Sequence, residues 1–396
     1  MLPVTDAFRF DYFGSDVVYG RGAIADLGGY LAERDLTDAL VVCGPHVGAN
    51  DALMAPLRRG LGDRLVGTFA ETTPAKTAET VFDGIAVMRD REPDVLVGVG
   101  GGSSLDVARQ MSAFAADGRP LSAFRAAARE GRADPPKPSA SQVPVVVVPT
   151  TFAGADISDS GSIRFLEPAE SPTGQPFRVH GSTTPVAMVY DPDLFETTPD
   201  GALARSAMNG FDKPLETVYA RTATPHTDAT AVHALRHLRA GYRGLAAGDP
   251  AAMDRAVVGM ILAQFRRQIS VIHALGHAFS ARYPVQQGLL HAVLAPHVLR
   301  YLLGEIDARR ELLALGLGVD ATALDDAELA GAIVDSVVEV RDSFDLPTRL
   351  REVEAVDPAD FPALARFAVD DYVMALAPRD LDPTVEAFVS VLEAAW

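Results

Sequence analysis

Asp94-Val-Leu-Val-Gly-Val-Gly-Gly-Gly-Ser-Ser-Leu-Asp106 decides the fold. A continuous apolar run ends in three glycines and two serines, and Val107-Ala-Arg-Gln-Met111 then resumes helical spacing. A strand that is apolar on both faces belongs to a parallel sheet with helices on each side. Two more runs repeat the pattern: Ala39-Leu-Val-Val-Cys43 before Gly44-Pro45, and Val143-Pro-Val-Val-Val-Val148 before Pro149-Thr-Thr151. Ligands of such sheets sit beyond the carboxyl ends of the strands, where all three turns fall. Glycines at 100, 101 and 102 let backbone N–H groups approach a pyrophosphate, and the helix N-terminus adds partial positive charge, with Ser103 or Ser104 available as its cap. The same glycines suit a plain strand-to-helix turn. The second polar turn, at Thr150 and Thr151 one crossover later, favours phosphate or dinucleotide binding.

Working outward, the alternation of strands and helices holds up to about residue 194. Ala126–Gln142 is polar and proline-rich and reads as a surface loop; Gly161–Thr184 reads as a β-hairpin with a loose tip at Pro168–Pro172. From about Phe195 the β-branched runs nearly vanish. Apolar residues at spacings of three and four predict helices over Asp228–Arg243, Pro250–Ser280, Gly288–Glu305 and Ala327–Phe344. The expected architecture is an α/β domain, residues 1–194, with a parallel Rossmann-like sheet, followed by an all-helical domain, residues 195–396. The site is expected in the cleft between them.

Composition narrows the function. A chain of 396 residues with 48% apolar and 22% charged types is a folded protein of more than one domain. Its net charge of −18 opposes binding to nucleic acid or anionic membrane. Cys43 is the single cysteine, which rules out an intrachain disulfide and a Cys-based zinc cluster and suits a small buried hydrophobe. The opening MLPVTDAFRFDYF has no basic segment leading into an apolar run, and no apolar stretch is long enough to cross a bilayer, so a cytoplasmic protein is expected. Only Lys76, Lys137 and Lys213 among the 35 basic residues are lysines.

Several motifs in one order resemble the iron-containing (group III) alcohol dehydrogenase family. They are Val18-Tyr-Gly-Arg-Gly22, Gly100-Gly-Gly-Ser103 with Asp106, Pro149-Thr-Thr-Phe-Ala-Gly154, Tyr190-Asp-Pro192, His273-Ala-Leu-Gly-His277 and Pro378-Arg379. Met208-Asn209, Glu216, the threonine turn and His291 are most similar to the maleylacetate reductase branch. The resemblance implies a dehydroquinate synthase-like architecture, an NAD(P)-binding N-terminal domain, a helical catalytic domain and a homodimer. It also implies cofactor contacts from Gly44, Gly100, Gly101, Gly102, Ser103, Asp106, Thr150 and Thr151.

Metal-dependent members of that family hold a divalent ion with an Asp, a His four residues later, the first His of an HxxxH helix and a further His. An ungapped match anchored on Met208 and Glu216 puts Asn209, Lys213, His273 and Gln287 at those positions. A neutral amide and an ammonium there oppose a cation, so no catalytic metal is expected. Lys213 then becomes the candidate to polarise the substrate carbonyl, with His273 and His277 orienting substrate or passing a proton. The competing reading pairs Lys213 with Asp212 or Glu216 at the surface. Pro214 suits the first turn of a helix, which would place Lys213 at a helix start, and Glu216 could pair with a backbone N–H or with Arg221.

The expected cofactor is NAD(H) or NADP(H), leaning to NADP(H), because Gly44 offers no carboxylate against a 2′-phosphate. The expected partner is a small carbonyl or alcohol substrate: an aldehyde, a ketone or an oxo acid, with Arg178, Arg282 and Arg379 as candidates to read a carboxylate. Lys76 and Lys137 look dispensable, although Lys76 could approach the nucleotide. Two alternatives remain open: a metal-dependent dehydrogenase with Asp212, Glu216 and His273 as rearranged ligands, and a nucleotide-binding protein without catalysis.

Overall fold

The sheet is built from the runs that are apolar on both faces. In the computed structural model, which describes residues 8–12 and 14–396, nine strands form: β1 (Phe8–Tyr12), β2 (Ser15–Tyr19), β3 (Ala39–Val42), β4 (Leu65–Phe69), β5 (Val95–Gly100), β6 (Val145–Pro149), β7 (Ser160–Leu166), β8 (Phe177–Ser182) and β9 (Ala187–Tyr190). Seven make one sheet in the order β1-β2-β9-β6-β5-β3-β4, parallel except for the β1–β2 pair. Every residue of β3, β5, β6 and β9 is buried, as expected of strands with helices on both faces. Cys43 is wholly buried at the end of β3.

Sequence order turns back between β3 and β5, so the carboxyl ends of these two strands flank the topological switch point of the sheet. Gly44 follows β3, the glycine turn follows β5 and Thr150 follows β6. Two of the resemblance motifs are joined directly, since the buried Asp191 carboxylate accepts from the N–H groups of Gly22 (3.0 Å) and Ile24 (3.1 Å).

β7 and β8 pair antiparallel as the expected hairpin, with a short 3-10 turn at Pro168–Glu170 in its tip. The stretch read as a loop from Ala126 is helical at its start, because the helix Leu121–Arg129 buries Phe124, Ala127 and Ala128 before the prolines end regular structure.

Contact density divides the chain into two units. One holds the described residues up to Thr151 together with Ala155–Thr198; the other holds Phe152–Gly154 and Pro199–Trp396. The three turn residues belong with the helices because Phe152 N–H donates to Ser206 Oγ (3.0 Å) and the Phe152 ring packs 5.0 Å from that of Tyr242.

Long helices make up the second unit, among them Asp200–Tyr219, Pro225–Ala246, Ala252–Ala263, Val271–Arg282, Gln287–Glu305, Arg310–Leu317 and Asp326–Asp342. Two corrections concern them. The pattern over Pro250–Ser280 is two helices, broken across Gln264–Ser270, where Arg266 takes a φ of 55°. Pro214 lies inside the helix Asp200–Tyr219 and not in a first turn. An interior proline forfeits one backbone hydrogen bond, a cost offset here by complete burial of Gly210–Tyr219. No helix among the described residues is long and apolar enough to cross a membrane.

Candidate active site

In the α/β unit the glycine turn is shaped for an anion. Gly100 sits at φ 126°, a conformation that side chains oppose. Gly101 is the N-cap of the helix Gly102–Asp117, and no side chain caps it. The expectation that Ser103 or Ser104 caps this helix is corrected, since Ser104 Oγ is bonded instead to Thr72 Oγ1 (2.7 Å). The helix N-terminus therefore keeps backbone donors for a ligand, as a pyrophosphate requires. Gly44 and Thr151 border this turn: Thr151 lies within 3.4 Å of where a Cβ on Gly101 would stand, and Gly44 packs against Thr72. Thr150 is buried, its N–H on Gly100 O (3.0 Å).

Asp106 is buried beneath the turn, where its carboxylate joins Lys76 Nζ (2.8 Å) and Arg109 Nη2 (2.7 Å). Its oxygens thus anchor the helix to the strand layer. Lys76 is not idle, contrary to the sequence expectation, because it carries half of this pairing.

In the helical unit, Lys213 is 5% exposed, which removes the surface pairing as its role. Its ammonium donates to Ala153 O in the threonine turn and lies 3.5 Å from Asn209 Oδ1, one helical turn earlier. The turn can come this close only because residue 154 is glycine: a Cβ there would sit 3.0 Å from Lys213 Nζ, at a φ of 65°. Asn209, Lys213 and His273 therefore converge, as the resemblance implies, with Asn209 Oδ1 3.2 Å from His273 Nε2.

Glu216, wholly buried, completes the cluster. Its Oε1 accepts from Ile272 N (2.7 Å) and His273 N (3.4 Å), so it serves as the first-turn acceptor of the helix Val271–Arg282. Its Oε2 meets His273 Nδ1. Glu216 thus pairs with backbone N–H groups, one of the sequence alternatives, and not with Arg221.

Burial pushes the Glu216 carboxyl up to about 8, against the pull of the Ile272 N–H and neighbouring backbone donors. Burial likewise pushes the His273 imidazole well down, helped by His291 and Lys213. The proton positions follow. Lys213 holds Asn209 Oδ1 as an acceptor, so His273 donates from Nε2 and accepts at Nδ1, and Glu216 carries the proton.

The family metal does not fit these positions. A cation would have to displace the ammonium of Lys213 and break the bond between Asn209 and His273, and none of the four positions supplies a carboxylate. Gln287 opens its helix half-buried and supplies only an amide. The rearranged set of Asp212, Glu216 and His273 fares no better, because Glu216 and His273 spend their facing atoms on each other. Among the described residues no group of three or more His, Cys, Asp or Glu could hold a metal ion. Asp212 instead turns to His291, with Oδ2 3.1 Å from Nδ1, both side chains wholly buried. Their geometry is too poor for a hydrogen bond, and burial drives the Asp212 carboxyl well up and the His291 imidazole down to about 3.

His277 is one turn further along the helix from His273, with ring centroids 6.5 Å apart. Its Nδ1 is 3.0 Å from Asp371 Oδ2, and its ring stacks at 17° on that of Tyr372. Asp371 and Tyr372 also line an open depression of about 710 Å³ with Arg366 and Phe367. Sequence reasoning missed Asp371, whose only local signal is its place seven residues before Pro378-Arg379. Two of the candidate carboxylate readers are committed elsewhere, Arg282 to Asp360 (2.6 and 2.7 Å) and Arg379 to Arg221 O (3.2 Å), while Arg178 lies on β8.

The comparisons with known proteins agree with this architecture. Residues 14–192 match the family model for iron-containing alcohol dehydrogenase, and residues 203–396 match that for the Fe-containing alcohol dehydrogenase family, C-terminal. Lactaldehyde reductase of Escherichia coli (strain K12) is 27% identical, over 96% of this chain and 97% of its own. The NAD-dependent methanol dehydrogenase of Bacillus methanolicus is 26% identical, over 91% and 93%. Among solved structures, 1,3-propanediol oxidoreductase superimposes with a TM-score of 0.84 at 21% identity, covering 99% of both chains. Maleylacetate reductase from Agrobacterium tumefaciens gives 0.74 at 20%, covering 100% of this chain and 99% of its own.

Proposed function

Because this chain belongs to the iron-containing alcohol dehydrogenase family, we propose that it transfers hydride between a nicotinamide cofactor and a small neutral aldehyde or ketone, with Lys213 in the place of a metal ion. The observation that carries this reading is the buried Lys213 ammonium, held by Ala153 O and Asn209 beside His273. The uncapped glycine turn of Gly100, Gly101, Gly102 and Ser103 would hold the pyrophosphate, with Gly44, Thr150 and Thr151 around it. The nicotinamide, when bound, supplies the hydride.

As the carbonyl carbon gains hydride, its oxygen gains negative charge, and a fixed ammonium stabilises that charge before donating a proton. The products are the alcohol, the oxidised nicotinamide and a neutral lysine. His277, whose side chain is 23% exposed while Asp371 holds its Nδ1, would return protons from solvent. Glu216 and His273 keep Asn209 and the ammonium in register and carry no net charge themselves. A neutral substrate is favoured because Arg282 and Arg379 are committed elsewhere. Gly44 supports a lean toward NADP(H).

The test is turnover of an aldehyde, ketone and oxo-acid panel with NADH and NADPH, using protein stripped by a chelator and checked by elemental analysis. Undiminished activity after stripping supports the reading, whereas a stoichiometric requirement for iron or zinc overturns the role of Lys213. Nucleotide-induced Tm shifts without turnover of any substrate would instead indicate a binding protein that has lost catalysis.

A further inference from the structure

One face of the helix Pro225–Ala246 carries Arg236, Arg239 and Arg243 at spacings of three and four, in a chain of net charge −18. Together with Arg255 of the next helix, buried His237 and the Leu317-Gly318 corner, they line a cavity of about 400 Å³ that shares no residue with the Lys213 cluster. Local acids answer part of this charge: Glu339 takes Arg239 (2.9 Å) and Arg243 (3.1 Å), and Asp249 takes Arg255. Arg236 donates to Leu315 O (2.9 Å). Arg239 Nε is buried without a hydrogen-bond partner, a costly state for a guanidinium donor. On the inner wall His237 is 3% exposed, and its Nε2 lies 3.0 Å from that of His233, so one ring donates and the other accepts.

We propose that this cavity binds a phosphate dianion, either inorganic or the head of a small phosphomonoester. Arg236, Arg239 and Arg243 each keep guanidinium N–H groups beyond those given to Leu315 O and Glu339, and several such planar donors around one concavity suit a tetrahedral oxyanion. The volume lies within the range of small-molecule sites, about 300–1,000 Å³. An anion here would tie together the helices that contribute Arg239 and Arg255, so its binding stabilises the helical unit.

The experiment is calorimetric titration of the full chain with inorganic phosphate and, separately, with glycerol 3-phosphate, using chloride at equal ionic strength as the control. Wild type, Arg239→Gln, Arg243→Glu and Gly100→Ala are compared. A saturable site that persists in Gly100→Ala is expected, weakened at least about tenfold in both arginine variants. The tighter of the two probes identifies the source of the phosphate. Binding lost in Gly100→Ala but unchanged in the arginine variants overturns the proposal, because the anion then occupies the glycine turn. Absence of saturable binding in wild type also overturns it. Should Arg239→Gln fail to fold, Arg243→Glu at the exposed mouth decides the outcome.

Discussion

Nε2 of His273 lies 3.2 Å from Oδ1 of Asn209, two residues 64 positions apart in the chain. That contact, with Glu216 behind the imidazole and the Lys213 ammonium beyond the amide, turns four separate side chains into one hydrogen-bonded unit. The consequences are measurable.

Replacing Lys213 with methionine keeps most of the unbranched side chain and removes its charge. In chelator-treated protein, kcat for carbonyl reduction is expected to fall about 100- to 1,000-fold, the scale of losing one donor to a developing oxyanion. The nucleotide-induced Tm shift should survive, since the glycine turn is untouched. A variant with unimpaired kcat would remove Lys213 from the chemistry.

Glu216 acts as a protonated acid, so Glu216→Gln should be mild and Glu216→Ala severe. The glutamine amide can donate to His273 Nδ1 as the carboxylic acid does, and kcat should stay within about tenfold, whereas alanine leaves Nδ1 and the Ile272 N–H unpaired. The pH dependence has a defined sign. Burial raises the Glu216 carboxyl from 4.5 to about 8, so its contribution to stability is complete below about 4.5 and is lost as pH rises through about 8. Asp212, also raised by burial, acts in the same direction. Melting curves at pH 5 and pH 9 should show a smaller alkaline loss in Glu216→Gln and in Asp212→Asn than in wild type.

Gly100→Ala forces a side chain into φ 126°, at a cost of about 1–3 kcal/mol. The distortion falls on the helix N-terminus that would face the pyrophosphate. Fluorescence titration should show the Kd for the reduced cofactor raised at least about tenfold; unchanged binding would mean that the nucleotide sits elsewhere.

Gly44→Asp places a carboxylate at the end of β3, where it can bond a ribose hydroxyl and repel a 2′-phosphate. The φ of −83° at this position admits a side chain, with Thr72 O, 3.2 Å from its Cβ, giving by a few tenths of an ångström. The ratio of kcat/KM for NADH to that for NADPH should rise at least about tenfold, and a ratio that does not move would take Gly44 out of cofactor selection.

Much of the fold is legible in local sequence, because strands buried on both faces must be continuously apolar and turns at their ends must be glycine, proline or small polar residues. The runs at 39–43, 94–99 and 143–148 satisfy both conditions, and β3, β5 and β6 follow within two residues. The break at Gln264–Ser270 is not legible. Its residues contain neither glycine nor proline, and the helix restarts at Val271, where a carboxyl group 56 positions earlier accepts the Ile272 N–H. Pro214 misleads for a related reason: propensity places it at a helix start, but burial of the flanking turns carries the helix through it.

By itself the sequence determined the glycine and threonine turns beyond the parallel strands, the helical second half and the scarcity of lysine. All of these rest on residue identity and short-range periodicity. Only the tertiary structure decided which atoms of those residues face one another. It joined Glu216 to His273 and His273 to Asn209, sent Ser104 to Thr72, and set Lys213 against Ala153 O. Such choices depend on long-range packing in a nearly water-free interior, where each polar group must find its partner within hydrogen-bond reach or bear the cost of burial alone.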